Sequence, residues 1–134
     1  MDQYVFDHGG IDVMLLGVGM NGHLGLNEPG GDFSEHAKVV ELDPVTMRVG
    51  QKYFSSQTRL TRGITLGVHH IFDAKRVILQ VGGAHKAEIV ERFVRTAPTE
   101  DFPATVLKLV EDGVLVVDRD AAAKVLDLLQ PADH

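Results

Sequence analysis

Ile11-Asp12-Val13-Met14-Leu15-Leu16-Gly17-Val18-Gly19-Met20-Asn21-Gly22-His23-Leu24-Gly25-Leu26-Asn27-Glu28-Pro29-Gly30 passes from a compact apolar run directly into a glycine-rich segment. The run at 11–16 has the pattern of a strand buried on both faces, and the glycines after it supply tight turns and close backbone approach. Residues 76–81 and 114–117 repeat the apolar pattern. Helical periodicity is clearest over 84–95, where Ala87, Val90 and Val94 share a face beside Ile89 and Phe93. The opposite face pairs Glu88 with Arg92 and Glu91 with Arg95 at the favourable i, i+4 spacing. Asp43 as N-cap and Pro44 at the first helical position open a helix that runs to about Phe54. A last helix is expected from Asp118 or Asp120 to Leu129, before Pro131. Residues 38–42 read as a further strand, and 63–73 are ambiguous between strand and helix. Residues 1–8 read as a helix with Val5 and Phe6 packing inward. Alternating strands and helices predict an α/β, Rossmann-like fold with a mainly parallel sheet flanked by helices.

At 134 residues, with 44% hydrophobic and 24% charged side chains, the chain has the composition of one folded domain. Its net charge is −6 and its 13 Lys and Arg residues are scattered, so no basic stripe offers a surface to nucleic acid. The absence of cysteine excludes disulfides and thiolate chemistry. Neither a membrane-length apolar run nor a secretory leader is present, and a soluble, cytoplasmic protein is expected.

Ligands of parallel α/β sheets bind beyond the carboxyl ends of the strands, which directs attention to the segments after Leu16 and Val81. The first holds His23 and Glu28, an imidazole and a carboxylate suited to a hydrogen-bonded acid/base pair in which the carboxylate orients and charges the ring. Spacing alone leaves a glycine-rich turn with a surface histidine and a solvated glutamate equally open. No dinucleotide or other cofactor is expected. In the second segment, Lys86 stands in the first turn of a helix, where it opposes the helix dipole unless an anion binds there. It is either a phosphate ligand or a flexible surface lysine. His69, His70 and His85 raise the question of a metal, but adjacent histidines on one element point apart and no convergent carboxylates are evident, so none is expected.

Residues 9–30 closely resemble the signature of the glucosamine-6-phosphate deaminase/isomerase family. The likeness continues through Gly63-Ile64-Thr65-Leu66-Gly67, Gly83-Ala84-His85-Lys86-Ala87 and Glu100-Asp101-Phe102-Pro103-Ala104 to Val117-Asp118. The related 6-phosphogluconolactonases share the Gly-His portion but not the Asn27-Glu28-Pro29 that follows. The resemblance implies conversion of glucosamine 6-phosphate to fructose 6-phosphate and ammonia, through acid/base ring opening and aldose–ketose isomerisation. By that analogy His23 is the general acid/base, Glu28 orients it, and Asn21 stands where some members carry an aspartate. An asparagine there can hydrogen-bond but cannot titrate. Lys86 matches the family's phosphate-binding lysine. Lys52 falls where many members have an arginine, with Arg48 as the fallback, and Gly19, Gly22 and Asn27 belong to the substrate-site loop.

The resemblance further implies that residues 1–134 are a single partial domain, the C-terminal portion of the family fold without its N-terminal strands. The absent portion would hold a phosphate loop and the aspartate that moves a proton between C2 and C1. Asp2 is not taken for that aspartate, since the first residues pack away from the strand ends. An exposed sheet edge would favour association of copies, and the 134-residue chain alone is expected to be inactive. Galactosamine 6-phosphate as substrate and a catalytically silent sugar-phosphate binding module are the alternatives, with a 6-phosphogluconolactonase disfavoured by Asn27-Glu28-Pro29.

Overall fold

The structure is a computed structural model that describes residues 1–129. Strands β1 (Val13–Leu16), β4 (Arg76–Val81) and β5 (Gly113–Val117) form a parallel sheet in the order β1-β4-β5. Met14 lies opposite Val77, and Leu79 lies between Leu16 and Leu115. Between β1 and β4 the chain makes an antiparallel pair, β2 (Lys38–Glu41) with β3 (Arg62–Thr65). The fold class is therefore the expected one. Residues 38–42 do make a strand, but in this second, antiparallel sheet. The ambiguous 63–73 stretch resolves into both elements, β3 and then the short helix α3 (His69–Asp73).

Asp43 caps α2 (Pro44–Gly50) by accepting hydrogen bonds from the backbone N–H groups of Val45 and Thr46, and a 3₁₀ turn extends the helix to Tyr53. The helix expected over 84–95 starts as a 3₁₀ turn, Ala84–Lys86, before α4 (Ala87–Arg95). Glu91 pairs with Arg95 at 3.2 Å as its spacing predicts. Glu88 does not pair with Arg92: the guanidinium lies 4.3 Å from the ring centre of Phe102, and Glu88 meets Lys124 at 3.4 Å instead. A planar cation over an aromatic face outcompetes a solvated ion pair on the helix surface.

Three expectations are corrected. Residues 118–129 form successive turns, closed by a mixture of i−3 and i−4 backbone bonds, and not a regular helix. Buried Ala121, Ala122 and Val125 fix them to the core, so tertiary contact and not helical propensity sets their path. The anticipated stop at Pro131 lies outside the described residues. In α1 (Asp2–Asp7), of the two side chains expected to pack inward, Phe6 is 79% exposed and Val5 is only partly covered. Finally, β1 is buried on one face only. The core faces Met14, Val77, Leu79 and Val81 and is closed by Ile89, Val90 and Phe93 of α4 and by Val106 and Leu107 of the 3₁₀ stretch Pro103–Leu109. On the other face Val13, Leu15, Val114 and Val116 are 58, 63, 38 and 46% exposed. An apolar run shows that a strand is able to be buried twice; whether both faces find cover depends on what packs there.

Among the described residues no helix is long and apolar enough to cross a membrane. Strand β3 and α3 join through Gly67, where an added Cβ would lie 1.9 Å from the carbonyl oxygen of Glu35 and 2.2 Å from that of His36. The close approach lets the His69 N–H donate to Glu35 O at 3.0 Å. Gly67→Ala is expected to destabilise the chain by about 2–3 kcal/mol, the range of severe single-site strain. Urea unfolding checks this, and a change below about 0.5 kcal/mol would show that the loop yields freely.

Candidate active site

Beyond Leu16 the chain folds back on itself at once. The Gly19 N–H donates to the carbonyl of His23 and the Gly22 N–H to that of Gly19, both at 2.9 Å. Gly22 has φ of 94°, and a Cβ there would stand 1.9 Å from the ring of Phe102. Backbone conformation and space both demand glycine. Phe102 is fully buried, and the Ala104 N–H donates to Gly22 O at 3.0 Å, so residues 102–104 form the seat of the turn. Gly19 is restricted by space alone, because a Cβ would fall 2.0 Å from the His23 ring, which lies against bare backbone. Gly17, Gly19 and Gly22 stand at G-x-G-x-x-G spacing, yet no helix opens after Gly22. The helix N-terminus that would hold a pyrophosphate is therefore missing from this segment.

His23, Asn21 and Glu28 are brought together as a hydrogen-bonded chain. The His23 backbone N–H donates to Asn21 Oδ1 at 3.1 Å, which fixes the amide's orientation, since only its oxygen accepts. The same oxygen lies 2.7 Å from His23 Nδ1, and Asn21 Nδ2 donates to Glu28 Oε2 at 2.6 Å. Nδ1 must then carry the ring proton, which leaves Nε2 as the basic nitrogen of the neutral imidazole. The direct histidine–glutamate pair anticipated from sequence is corrected by this arrangement: Glu28 Oε1 is 3.9 Å from Nδ1, and Asn21 lies between. The carboxylate acts on the ring through an oriented amide.

Asn27 is 5% exposed, and its Nδ2 donates to Leu24 O at 3.0 Å and Leu66 O at 2.9 Å. Its side chain anchors the loop to the end of β3 and does not face an open site. Neighbouring Glu28 is thereby held at the loop surface, 49% exposed at the side chain. Lys86, in the 3₁₀ turn that leads into α4, sends Nζ back across the sheet end to Val18 O at 2.6 Å. Burial lowers the pKa of its ammonium below the usual lysine value. An ammonium has three donors, and one is engaged with Val18. Lys52 lies elsewhere, exposed in the turn after α2 with Nζ 4.9 Å from the Tyr53 ring centre, and none of its contacts among the described residues joins it to the glycine loop.

Two residues that were not among the site candidates read from the sequence prove to shape this region. Phe102 seats Gly22, and Asp118, directly after β5, accepts from the Gly83 N–H at 2.8 Å and the Ala121 N–H at 2.8 Å. The hydrogen bonds from Ala121 and then Gly83 hold its carboxyl below the usual aspartate range. Asp118 thus ties the loop after β4 to the turns after β5. An aspartate immediately after an apolar strand was the available signal, since such a side chain can reach free N–H groups in the next loop.

A family model described as glucosamine-6-phosphate isomerases/6-phosphogluconolactonase matches residues 2–116. A glucosamine-6-phosphate deaminase of Bacillus pumilus is 42% identical over 123 residues, which are 91% of this chain and 51% of the relative. Among solved structures, a monomeric glucosamine-6-phosphate deaminase superposes with a TM-score of 0.81 at 38% identity, over 90% of this chain and 51% of that one. The 6-phosphogluconolactonase of Trypanosoma brucei shares the fold with a TM-score of 0.61 at 23% identity, over 85% of this chain and 42% of its own. The chain spans about half the length of the curated relatives it matches.

The hydrogen-bonded chain makes a prediction about proton position. In ¹⁵N NMR spectra at about pH 8.5, where ordinary imidazoles are neutral, His23 should carry its proton on Nδ1 alone. Asn21→Leu should let it redistribute to Nε2 while the fold persists. A wild-type ring protonated mainly at Nε2 would contradict the assigned geometry.

Proposed function

Since the chain belongs to the family of glucosamine-6-phosphate isomerases and 6-phosphogluconolactonases, we propose that it is the C-terminal portion of a glucosamine-6-phosphate deaminase domain, the portion that opens the sugar ring and holds the phosphate. The observation that carries this is the Asn21-mediated link between His23 and Glu28 at the carboxyl end of β1. Cyclic glucosamine 6-phosphate must become an open-chain aldehyde before its C2 proton is acidic enough to move. With Nδ1 protonated toward Asn21, His23 Nε2 takes the O1 proton and returns it to O5. The C1–O5 bond breaks and C1=O1 forms, with no net change at the ring. The transient imidazolium is stabilised by Glu28 through the Asn21 dipole and the remaining 3.9 Å separation.

Isomerisation then moves a proton from C2 to C1, and water hydrolyses the resulting imine to fructose 6-phosphate and ammonia. That transfer needs a second base beside C2. Glu28 is committed to Asn21, and Asp2 is bound to His70 on α3, which leads into the amino end of β4. By family resemblance the base belongs to the portion of the relatives outside the matched span. The uncovered face bearing Val13, Leu15, Val114 and Val116 is the surface proposed to pack against that portion, and it favours association when the 134-residue chain stands alone. Lys86 is proposed to receive the phosphate. Partial burial penalises its lone charge, and a dianion relieves the penalty. Asn27-Glu28-Pro29 and the 38% identity to a deaminase against 23% to a lactonase support amino-sugar chemistry over lactone hydrolysis. Galactosamine 6-phosphate differs only at C4 and is the alternative substrate. A cytoplasmic setting belongs to the same proposal.

Two outcomes test it. The 134-residue chain should release no measurable fructose 6-phosphate or ammonia, whereas a fusion with the first half of the Bacillus pumilus relative placed before Met1 should do so. His23→Gln in the fusion should abolish most of that turnover, since glutamine hydrogen-bonds without transferring a proton. Robust turnover by the chain alone, or full activity of the variant, would overturn the assignment. In the same fusion Lys86→Ala should weaken sugar-phosphate binding by about 1.5–3 kcal/mol, the contribution of a charged hydrogen bond. Titration calorimetry reads this, and unchanged affinity would return Lys86 to a structural role.

A further inference from the structure

Three polar side chains from three separate elements converge at the other end of the sheet. His70 of α3 is 4% exposed, and its Nε2 lies 2.5 Å from Asp2 Oδ1 in α1. His36, from the segment before β2, approaches edge-on with ring centroids 5.9 Å apart. One ligand atom from each of Asp2, His36 and His70 lies within 4.8 Å of the other two. The adjacent His69 pairs with Asp73 at 3.3 Å, and its ring also packs against His36 with centroids 4.5 Å apart, so the two neighbouring histidines do not point apart as expected. The expectation of no convergent carboxylate fails, because Asp2 reaches His70 from 68 residues away.

From this geometry we propose that Asp2, His36 and His70 form a binding site for one divalent transition-metal ion of the zinc type. Two imidazole nitrogens and one carboxylate oxygen suit zinc, and disfavour magnesium and calcium, which take oxygen ligands. The metal takes the place of the hydrogen between His70 Nε2 and Asp2 Oδ1, and the neutral imidazole that binds it through Nε2 carries its single ring proton on Nδ1. That pair opens from 2.5 Å to about 3.3 Å, the edge of a tetrahedron with bonds near 2.0–2.1 Å. Asp2, His36 and His70 all line one cavity of about 640 Å³, together with Gln3, Val5, Ile11 and Asp73, which leaves room for a water or an exogenous donor as fourth ligand.

The ligands are held before any metal arrives. Asp2 Oδ1 accepts the Ala37 N–H at 2.9 Å, and this bond followed by the one from His70 keeps the carboxyl below the usual aspartate range. The backbone bond from His69 to Glu35 at 3.0 Å, made through the space left by Gly67, sets His36 above α3. Ile11 precedes β1 and Asp73 precedes β4, so the cluster lies at the amino ends of strands whose carboxyl ends carry the His23 loop. A metal there joins α1, the segment before β2 and α3 without touching the acid/base chain.

The test uses zinc alone with the 134-residue chain. Equilibrium dialysis should give one zinc per chain, and zinc at a hundredfold excess over Kd should raise Tm by about 10 °C. Cobalt should show the visible bands of a four-coordinate site. His36→Ala, at an exposed position, should keep the far-UV spectrum and the metal-free Tm while losing at least tenfold in affinity. Asp2→Asn should do likewise, and a His8→Ala/His85→Ala double variant should bind as the parent does. Absence of stoichiometric binding would overturn the proposal. So would affinity unchanged in both His36→Ala and Asp2→Asn, or loss of binding in the His8/His85 control.

Discussion

Gly22 lies so close to the ring of Phe102 that a single methyl group at position 22 would stand 1.9 Å from it. This contact couples two segments distant in sequence, the turn after β1 and the stretch that leads toward β5. Its rigidity comes from both sides. Phe102 is enclosed by the core with the Arg92 guanidinium over its face, and the Ala104 N–H secures Gly22 from the same segment. His23 is the next residue, so its ring position is inherited from aromatic packing before any polar contact is made. A functional side chain gains its direction most economically from a seat that has no alternative packing.

Upon that seat the polar chain of His23, Asn21 and Glu28 adds proton order. An amide in the middle has a property that a second carboxylate lacks: it cannot exchange a proton with the ring, so it fixes one tautomer and passes on the field of Glu28. Across the sheet end, Lys86 and Asp118 bracket the loop after β4 by opposite means. The lysine is a partly buried cation reaching over to β1's loop, and the aspartate is an exposed anion saturated by backbone N–H groups. Parallel strand order makes this clustering possible, because all three strands end on the same side. It also separates that side from the Asp2, His36 and His70 cluster at the strands' beginnings.

The sequence by itself determined what depends on near neighbours. The Asp43-Pro44 start of α2, the apolar runs that became β1, β4 and β5, and the buried face of α4 follow from capping geometry and periodicity over a few residues. So did the grouping of Asn21, His23 and Glu28, which stand within seven residues of one another and had only a short turn in which to meet. The tertiary structure alone decided that Asn21 separates the other two, because that is a matter of an ångström of side-chain placement. It also decided that Arg92 turns from Glu88 to Phe102, that residues 118–129 wind as turns, and that one face of the sheet is open. Equally, His70 finds Asp2 at a separation of 68 residues, and Lys86 finds Val18 at the same separation. Local patterns encode the hydrogen-bonding state and amphipathic face of each element. Which side chains meet across elements is set by how those faces pack, and that is a property of the whole chain.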